Sequence, residues 1–196
     1  MNRWIIFTMA FLFAGLPSFA QSASARSERP AALELALAYS ADRMNAPPGG
    51  CSCFWMRGGK AEINANLYRN IGLVAELAGE HADNTNAAHD QLSFISYLIG
   101  PRYTVRASHR LVPFAQVLVG GIHGFDAFFP NQNGSANTPD GFAMAAGGGL
   151  NVGLSRHLAI RAVQADYLLT KLPNNINDRQ NHLRLAAGIV FRFHGR

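Results

Sequence analysis

Apolar and polar or small residues alternate one by one along much of the chain. In residues 33–40, large apolar side chains occupy the odd positions, and Glu34, Ala36, Ala38 and Ser40 occupy the even ones. A period of two predicts a β-strand with two unlike faces, because successive side chains of a strand point in opposite directions. The pattern recurs and predicts eight strands, over residues 33–40, 60–67, 73–80, 92–105, 112–121, 141–153, 158–168 and 183–193.

The segments between these strands alternate between short and long. Short connections occur near Arg69, Ser108 and Arg156, whereas the other four are longer and rich in Asn, Gly, Pro and Asp. An up-and-down meander produces this alternation when every short turn lies at one end of the strands, as in outer-membrane barrels. The sequence therefore predicts an all-β chain in which residues 32–193 form an eight-stranded antiparallel up-and-down transmembrane β-barrel.

One face of the predicted strands carries charged side chains among Gly and Ala. An eight-stranded barrel has an interior just wide enough for side chains to fill, so we place this face inside, where buried charges must pair. Closure of the barrel brings the first and last strands together, and Glu34 then meets Arg192. The predicted interior charges are four acids and four bases: Glu34, Lys60, Glu62, Glu76, Glu80, Arg102, Arg184 and Arg192.

Two irregularities are needed to keep the polar residues on this face. A three-residue turn over residues 68–70 preserves the inward parity of its two strands and sets Glu62 directly opposite Glu76. Two facing carboxylates could be catalytic, but we interpret them as structural and neutralised by a neighbour such as Lys60 or Arg102. In the seventh strand Arg161 differs in parity from Gln164 and Asp166, so we predict a β-bulge near residues 162–163.

Composition removes several alternatives. The chain has 196 residues, of which 48% are hydrophobic and 15% charged, and its mean hydropathy is +0.02. No apolar run beyond the first twenty residues approaches the ~20 needed for a spanning helix, which excludes a bundle of membrane helices. The formal charge of +5 arises from scattered Lys and Arg without a basic stripe, so we expect no nucleic-acid partner.

The first residues have the three-part layout of an export signal. Arg3 precedes an apolar stretch from Trp4 to Leu16, and the segment ends in Pro17-Ser18-Phe19-Ala20 before Gln21. We therefore predict a signal peptide over residues 1–20, followed by a flexible tail over residues 21–31.

The two cysteines, Cys51 and Cys53, lie in a turn-rich segment of the first long loop. An oxidising compartment permits a disulfide between them. Their close spacing makes such a bridge small and strained, and two free thiols are the alternative. The nearest His along the chain is His81, 28 residues after Cys53, and we expect neither a metal site nor a cofactor.

Aromatic residues accumulate near the predicted long-loop ends of the strands, as expected of a barrel with an aromatic girdle at the membrane interface. Loop aromatics packed on a soluble core are the alternative. The residues are Tyr39, Phe54, Trp55, Phe128, Phe129, Phe142 and Tyr167.

Several stretches together resemble a known protein family. They include Cys53-Phe54-Trp55, Gly100-Pro101-Arg102-Tyr103, the Gly147-Gly148-Gly149 run, Gln164-Ala165-Asp166-Tyr167-Leu168, and residues 184–191. In their order and spacing they resemble small outer-membrane β-barrel proteins related to the OmpA transmembrane domain and the opacity proteins, in particular uncharacterised acidobacterial-type members. The resemblance implies a barrel inserted in the bacterial outer membrane, with no agreed activity.

These observations favour an outer-membrane barrel with a structural or surface-interaction role and no catalysis. Its partners would be outer-membrane lipid and an unidentified ligand of the long loops. One alternative is a barrel enzyme that modifies membrane lipid, for which His81, His89, His123 and Asp126 lie near the outer rim without an identifiable serine partner. The other alternative is a soluble periplasmic calyx that binds a ligand, which would need a costly charged lining.

Overall fold

The computed structural model describes residues 31–45, 53–83, 91–106, 110–125, 129–131, 134–136, 138–173 and 178–194. It contains ten strands: β1 (Leu33–Asn45), β2 (Cys53–Tyr68), β3 (Ile71–Ala82), β4 (Leu92–Thr104), β5 (Leu111–Phe125), β6 (Phe129–Asn131), β7 (Gly134–Ala136), β8 (Asp140–Gly153), β9 (Leu158–Lys171) and β10 (Gln180–Phe193). Within these ranges, no helix is long and apolar enough to cross a membrane. The predicted signal peptide lies outside them, as does the predicted tail except for Ala31.

Eight of the strands close into a barrel in the order β1-β10-β9-β8-β5-β4-β3-β2, and every pairing is antiparallel. Leu33 pairs with Phe193 where the first and last strands meet, so both ends of the barrel sequence lie on the short-turn side. The remaining strands, β6 and β7, form a small hairpin in the loop between β5 and β8. The predicted eight-stranded antiparallel barrel is therefore confirmed, and the loop hairpin is an addition to it.

Several strands extend further toward the long loops than the alternation predicts. β2 begins at Cys53 rather than at Lys60, and β10 begins at Gln180 rather than at Leu183. In β2 the reason is the pair Gly58-Gly59, which gives no apolar or polar signal although both residues pair with β3. A periodicity argument ends where small residues interrupt it, whereas the hydrogen-bonded ladder continues.

The turn between β2 and β3 differs from the prediction. Tyr68 pairs with Ile71, so the turn has two residues, Arg69 and Asn70, rather than three. The additional residue is Leu67, which forms a β-bulge in β2, and Arg69 adopts a positive φ of 41°. The bulge and the two-residue turn together keep the charged faces of β2 and β3 pointing inward, as the predicted three-residue turn would have done.

The predicted bulge in the seventh barrel strand is confirmed. The pairing of β8 with β9 shifts register between Leu150 and Asn151, which pair with Val163 and Arg161, so Ala162 is the extra residue. As a result Arg161, Gln164 and Asp166 all point inward and are buried.

Gly58 and Gly59 provide a matched test of the register between β2 and β3. A Cβ at Gly58 would lie 1.9 Å from the carbonyl oxygen of Gly79, whereas a Cβ at Gly59 would lie 3.6 Å from its nearest atom, the carbonyl oxygen of Ala38. We expect Gly58→Ala to destabilise the barrel by about 1–3 kcal/mol through overpacking, and Gly59→Ala to fold as the parent does. Urea unfolding of the refolded barrels measures both, and equal stability of the two variants would contradict the register.

Candidate functional site

The outward-facing positions of the barrel form a continuous apolar band. In β1 they run from Leu33 to Ala41 before Arg43 interrupts them, and in β3 from Ile71 to Gly79 before His81 does. The band also crosses the other six barrel strands, and within the described residues it contains no Asp, Glu, Lys or Arg. Most of its large outward side chains are 38–68% exposed, and others, such as Leu35 and Leu169, are half-buried. Such a wall is stable where the surroundings are as apolar as the side chains.

The height of the band matches a bilayer. It covers residues 33–41 in β1, 71–79 in β3 and 183–193 in β10, which is nine to eleven residues per strand. A tilted β-strand needs about 9–11 residues to cross the hydrocarbon core.

Exposed aromatic residues lie toward both ends of the band. Trp55, Phe142 and Tyr167 lie toward the long loops. On the short-turn side the exposed aromatic residues are Tyr68, Tyr103, Phe191 and Phe193. Two belts of this kind are expected where a barrel meets the two lipid–water interfaces.

Two of the predicted girdle residues lie elsewhere. Phe54 is buried inside the barrel, since it has the opposite parity to its neighbour Trp55. Tyr39 is exposed but lies in the middle of β1, because that strand continues to Asn45 rather than ending at Ser40. Phe128 and the side chain of Phe129 lie outside the described part of the chain.

A buried charge network fills the middle of the barrel, and Glu62 is its main acceptor. Its carboxylate lies 2.9 Å from Lys60 Nζ, accepts a hydrogen bond from Arg102 at 2.5 Å, and also accepts one from Arg161. Gln164 donates a further hydrogen bond of 3.1 Å to the same carboxylate. Three cations from three strands therefore share this one carboxylate.

A second group of ion pairs shares Lys60 with the first. Lys60 Nζ donates to Glu76 at 2.9 Å and to Asp166 at 3.2 Å. Arg184 also contacts Glu76, and it lies 3.7 Å from Asp166. Glu62 pairs directly with Glu76 across β2 and β3, and the ammonium group of Lys60 lies within 2.9 Å of both carboxylates.

The remaining predicted interior charges lie above and below this network. Glu34 pairs with Arg192 across β1 and β10 at the short-turn end, where a carboxylate oxygen and Arg192 Nε are 3.6 Å apart. Asn64 donates to the same Glu34 carboxylate at 3.0 Å. Glu80 is buried two positions beyond Ala78, toward the long loops. Near the short turns, partial burial lowers the pKa of Arg106, while the negative charge of Glu34 opposes this shift.

Sequence reasoning missed a buried polar chain near the long loops. Asp42 lies 2.8 Å from His182 Nδ1, and His182 Nε2 lies 3.0 Å from the hydroxyl of Thr170. Thr170 in turn donates to Gln180, whose side chain makes hydrogen bonds to both backbone groups of Leu172. Asp42 and His182 lie just past the predicted ends of their strands, so continuing the inward parity by one step would have found them.

The interior also contains a large apolar cluster, in addition to the Gly and Ala that we expected among its charges. The cluster lies on the long-loop side of the network and is buried because strands 13–16 residues long continue beyond the charged layer. Its larger members are Met44, Phe54, Met56, Leu92, Phe94, Leu98, Leu118, Ile122, Leu168 and Leu172. The side chains of the charge network and of the apolar cluster together fill the described interior of the barrel.

Three solved structures share this architecture. They are Ail of Yersinia pestis (17% identity, TM-score 0.58), neisserial surface protein A (10%, 0.59) and OprG of Pseudomonas aeruginosa (9%, 0.57). The alignments cover 84–85% of this chain and 98–100% of those chains. The fold is that of the small outer-membrane β-barrels. No protein-family model matches the sequence, and no curated protein does. At 9–17% identity the likeness establishes the fold, and the acidobacterial resemblance stays a prediction.

At the outer rim, the structure supplies a serine that sequence reasoning did not identify. Ser93 Oγ lies 2.7 Å from His81 Nδ1, and His81 Nε2 lies 3.0 Å from Asp83. Ser93 is only 5% exposed, whereas the side chain of Asp83 is 77% exposed. His123 forms a separate pair with Asp140 at 2.8 Å. Predicted rim residues His89 and Asp126 lie outside the described residues.

Cys53 is exposed at the first position of β2. Cys51 lies outside the described residues. The redox state of the two cysteines therefore stays a prediction.

Proposed function

We propose that this chain is an integral outer-membrane β-barrel protein with a structural or surface-interaction role and no catalytic activity. The observation that carries the proposal is the apolar band, which runs around all eight barrel strands without a charged residue in the described part of the chain. A soluble calyx would place polar side chains outward and an apolar lining inward. Here the outward wall is apolar, and the buried ion pairs lie inside. In the bilayer the long loops would face outward and the short turns the periplasm.

Cell fractionation tests this proposal. We expect the protein in the outer-membrane fraction, resistant to extraction by carbonate and released by detergent. On a denaturing gel the unboiled sample should migrate differently from the boiled one, because a closed barrel resists unfolding by the gel detergent. Recovery in the soluble periplasmic fraction would overturn the proposal.

The filled interior indicates that the barrel does not conduct. Glu62, Lys60 and Arg184 belong to the charge network in the middle of the barrel and are at most 4% exposed, and the apolar cluster lies beyond them. We expect the purified protein in planar bilayers to show no stable conductance step at neutral pH, with a porin measured in parallel as a positive control. Reproducible single-channel steps would contradict this prediction, because they would require the charge network to open.

The long loops are the natural place for contact with a surface ligand. Among proteins of this fold, Ail of Yersinia pestis has been crystallised with the heparin analogue sucrose octasulfate. By analogy of architecture alone, we propose that the loops of this chain contact a ligand at the cell surface.

A second candidate function rests on the Ser93-His81-Asp83 arrangement. In an ester hydrolase Ser93 would attack an acyl ester, His81 would pass the serine proton to the leaving alcohol, and water would then release the fatty acid. The geometry supports this less well, since Ser93 is buried and Asp83 is solvated. If it were correct, Ser93→Ala would abolish deacylation of membrane lipids on overexpression, as read by mass spectrometry. We expect parent and variant to leave the lipids equally unchanged.

A further inference from the structure

A shallow groove indents the outer wall of the barrel across β1, β2 and β3. Its volume is about 540 Å³, and its apolar lining includes Leu37, Ala61 and Leu77. The groove exists because Gly59 and Gly79 face each other directly across β2 and β3 and both point outward. A Cβ at Gly79 would meet no atom within 4 Å. The groove lies within the apolar band, so lipid chains would be its surroundings.

Two arginines lie at the long-loop end of this groove. Arg57 is the next outward residue after Gly59 on β2, and Arg43 lies on the neighbouring β1, opposite Trp55. Both arginines are exposed, and Arg43 lies 5.8 Å from the centre of the Trp55 ring. Neither has an acidic partner among the residues that the structure describes. Guanidinium groups bind phosphate through paired hydrogen bonds, and cations near a membrane surface attract anionic headgroups.

We propose that this groove and its two arginines bind one phosphorylated glycolipid of the outer leaflet. One acyl chain would lie along Gly59 and Gly79, and phosphate groups would contact Arg57 and Arg43. The assignment rests on the proposed function, which orients the long loops toward the outer leaflet, where phosphorylated glycolipid is abundant. Two guanidinium groups on neighbouring strands also match a headgroup that carries more than one phosphate.

The proposal is testable with lipid A in mixed micelles. The sequence has two tryptophans, Trp4 and Trp55, so a Trp4→Phe variant leaves Trp55 at the site as the only tryptophan, which can be excited selectively over tyrosine. We expect a saturable change of Trp55 fluorescence on titration with lipid A. Its midpoint should rise at least tenfold in the Arg43→Gln/Arg57→Gln double variant and in Gly79→Leu, which fills the groove. The midpoint should also rise with salt, which screens the phosphate contacts.

Two controls make the result decisive. Arg156→Gln removes one exposed cation from the opposite end of the barrel and should leave the midpoint unchanged. Phosphatidylglycerol at the same mole fraction should bind at least tenfold more weakly, and equal binding would overturn the glycolipid assignment. Unchanged midpoints in the site variants would overturn the site itself. Each variant is first shown to be folded by its heat-dependent gel mobility, so failure of the site is distinguishable from failure of the barrel assignment.

Discussion

Replacing Glu62 by alanine is expected to lower the free energy of unfolding of the barrel by about 3–5 kcal/mol, the usual cost of breaking a buried ion pair from one side. We expect a loss of this size because Lys60, Arg102 and Arg161 all contact the Glu62 carboxylate and are themselves buried. Without it, positive charge accumulates in an interior that water does not reach. Urea unfolding of the protein refolded into lipid vesicles measures the change.

Glu34→Ala is the matched control for this experiment. Glu34 also lies inside the barrel, but its side chain is 10% exposed at the short-turn end, and its nearest cation is Arg192 at 3.6 Å. Its removal affects one partly hydrated cation, whereas removal of Glu62 leaves the buried Arg102 and Arg161 without their acidic partner and takes one of three from Lys60, so the destabilisation should be clearly smaller for Glu34→Ala. Equal losses in the two variants would show that Glu62 is not the central acceptor of the network.

An arginine in the middle of the apolar band is the second change with a large expected effect. Ile99 lies on β4 between Ala75 and Val119 and is 50% exposed on the outward face. We expect Ile99→Arg to destabilise the vesicle-embedded barrel by about 2–4 kcal/mol, the cost of a cation at the bilayer midplane of a barrel.

Leu111→Arg is the control for depth. Leu111 is 52% exposed at the first position of β5, beside the short turn, and we expect a cost there of about 0–1 kcal/mol. In detergent micelles, which adapt to a charged side chain, the gap between the two variants should narrow. If Ile99→Arg were neutral in vesicles, Ile99 would face water and the band would not contact lipid.

Alternation was sufficient to predict the barrel because parity carries two kinds of information. It distinguishes strand from helix, and it separates the outward set that includes Leu33, Leu73 and Leu183 from the inward set that includes Glu34, Glu76 and Arg184. The bulge near Ala162 could also be predicted, because only an extra residue brings Arg161 and Asp166 to the same face.

The features that escaped prediction depend on strand ends and on contacts between distant strands. Phe54 lies on the far side of the Gly58-Gly59 pair, which hides the periodicity, whereas His182 lies one inward step beyond Arg184, past the predicted end of its strand. Ser93 lies one strand away from His81, and the contact between them follows from the register of β3 with β4. The extent of the interior apolar cluster was also not predicted, because strand length decides how far the lumen continues beyond the charges and the strand ends were not visible in the pattern.

Cysteine labelling along β3 tests most directly the claim that the apolar band contacts lipid. In a Cys51→Ser/Cys53→Ser background, Ala75→Cys places a thiol in the middle of the band and His81→Cys places one at its outer rim. In vesicles, a membrane-impermeant maleimide should label the His81→Cys variant rapidly and the Ala75→Cys variant only after unfolding. Equally rapid labelling of both in the folded protein would contradict a membrane-spanning barrel.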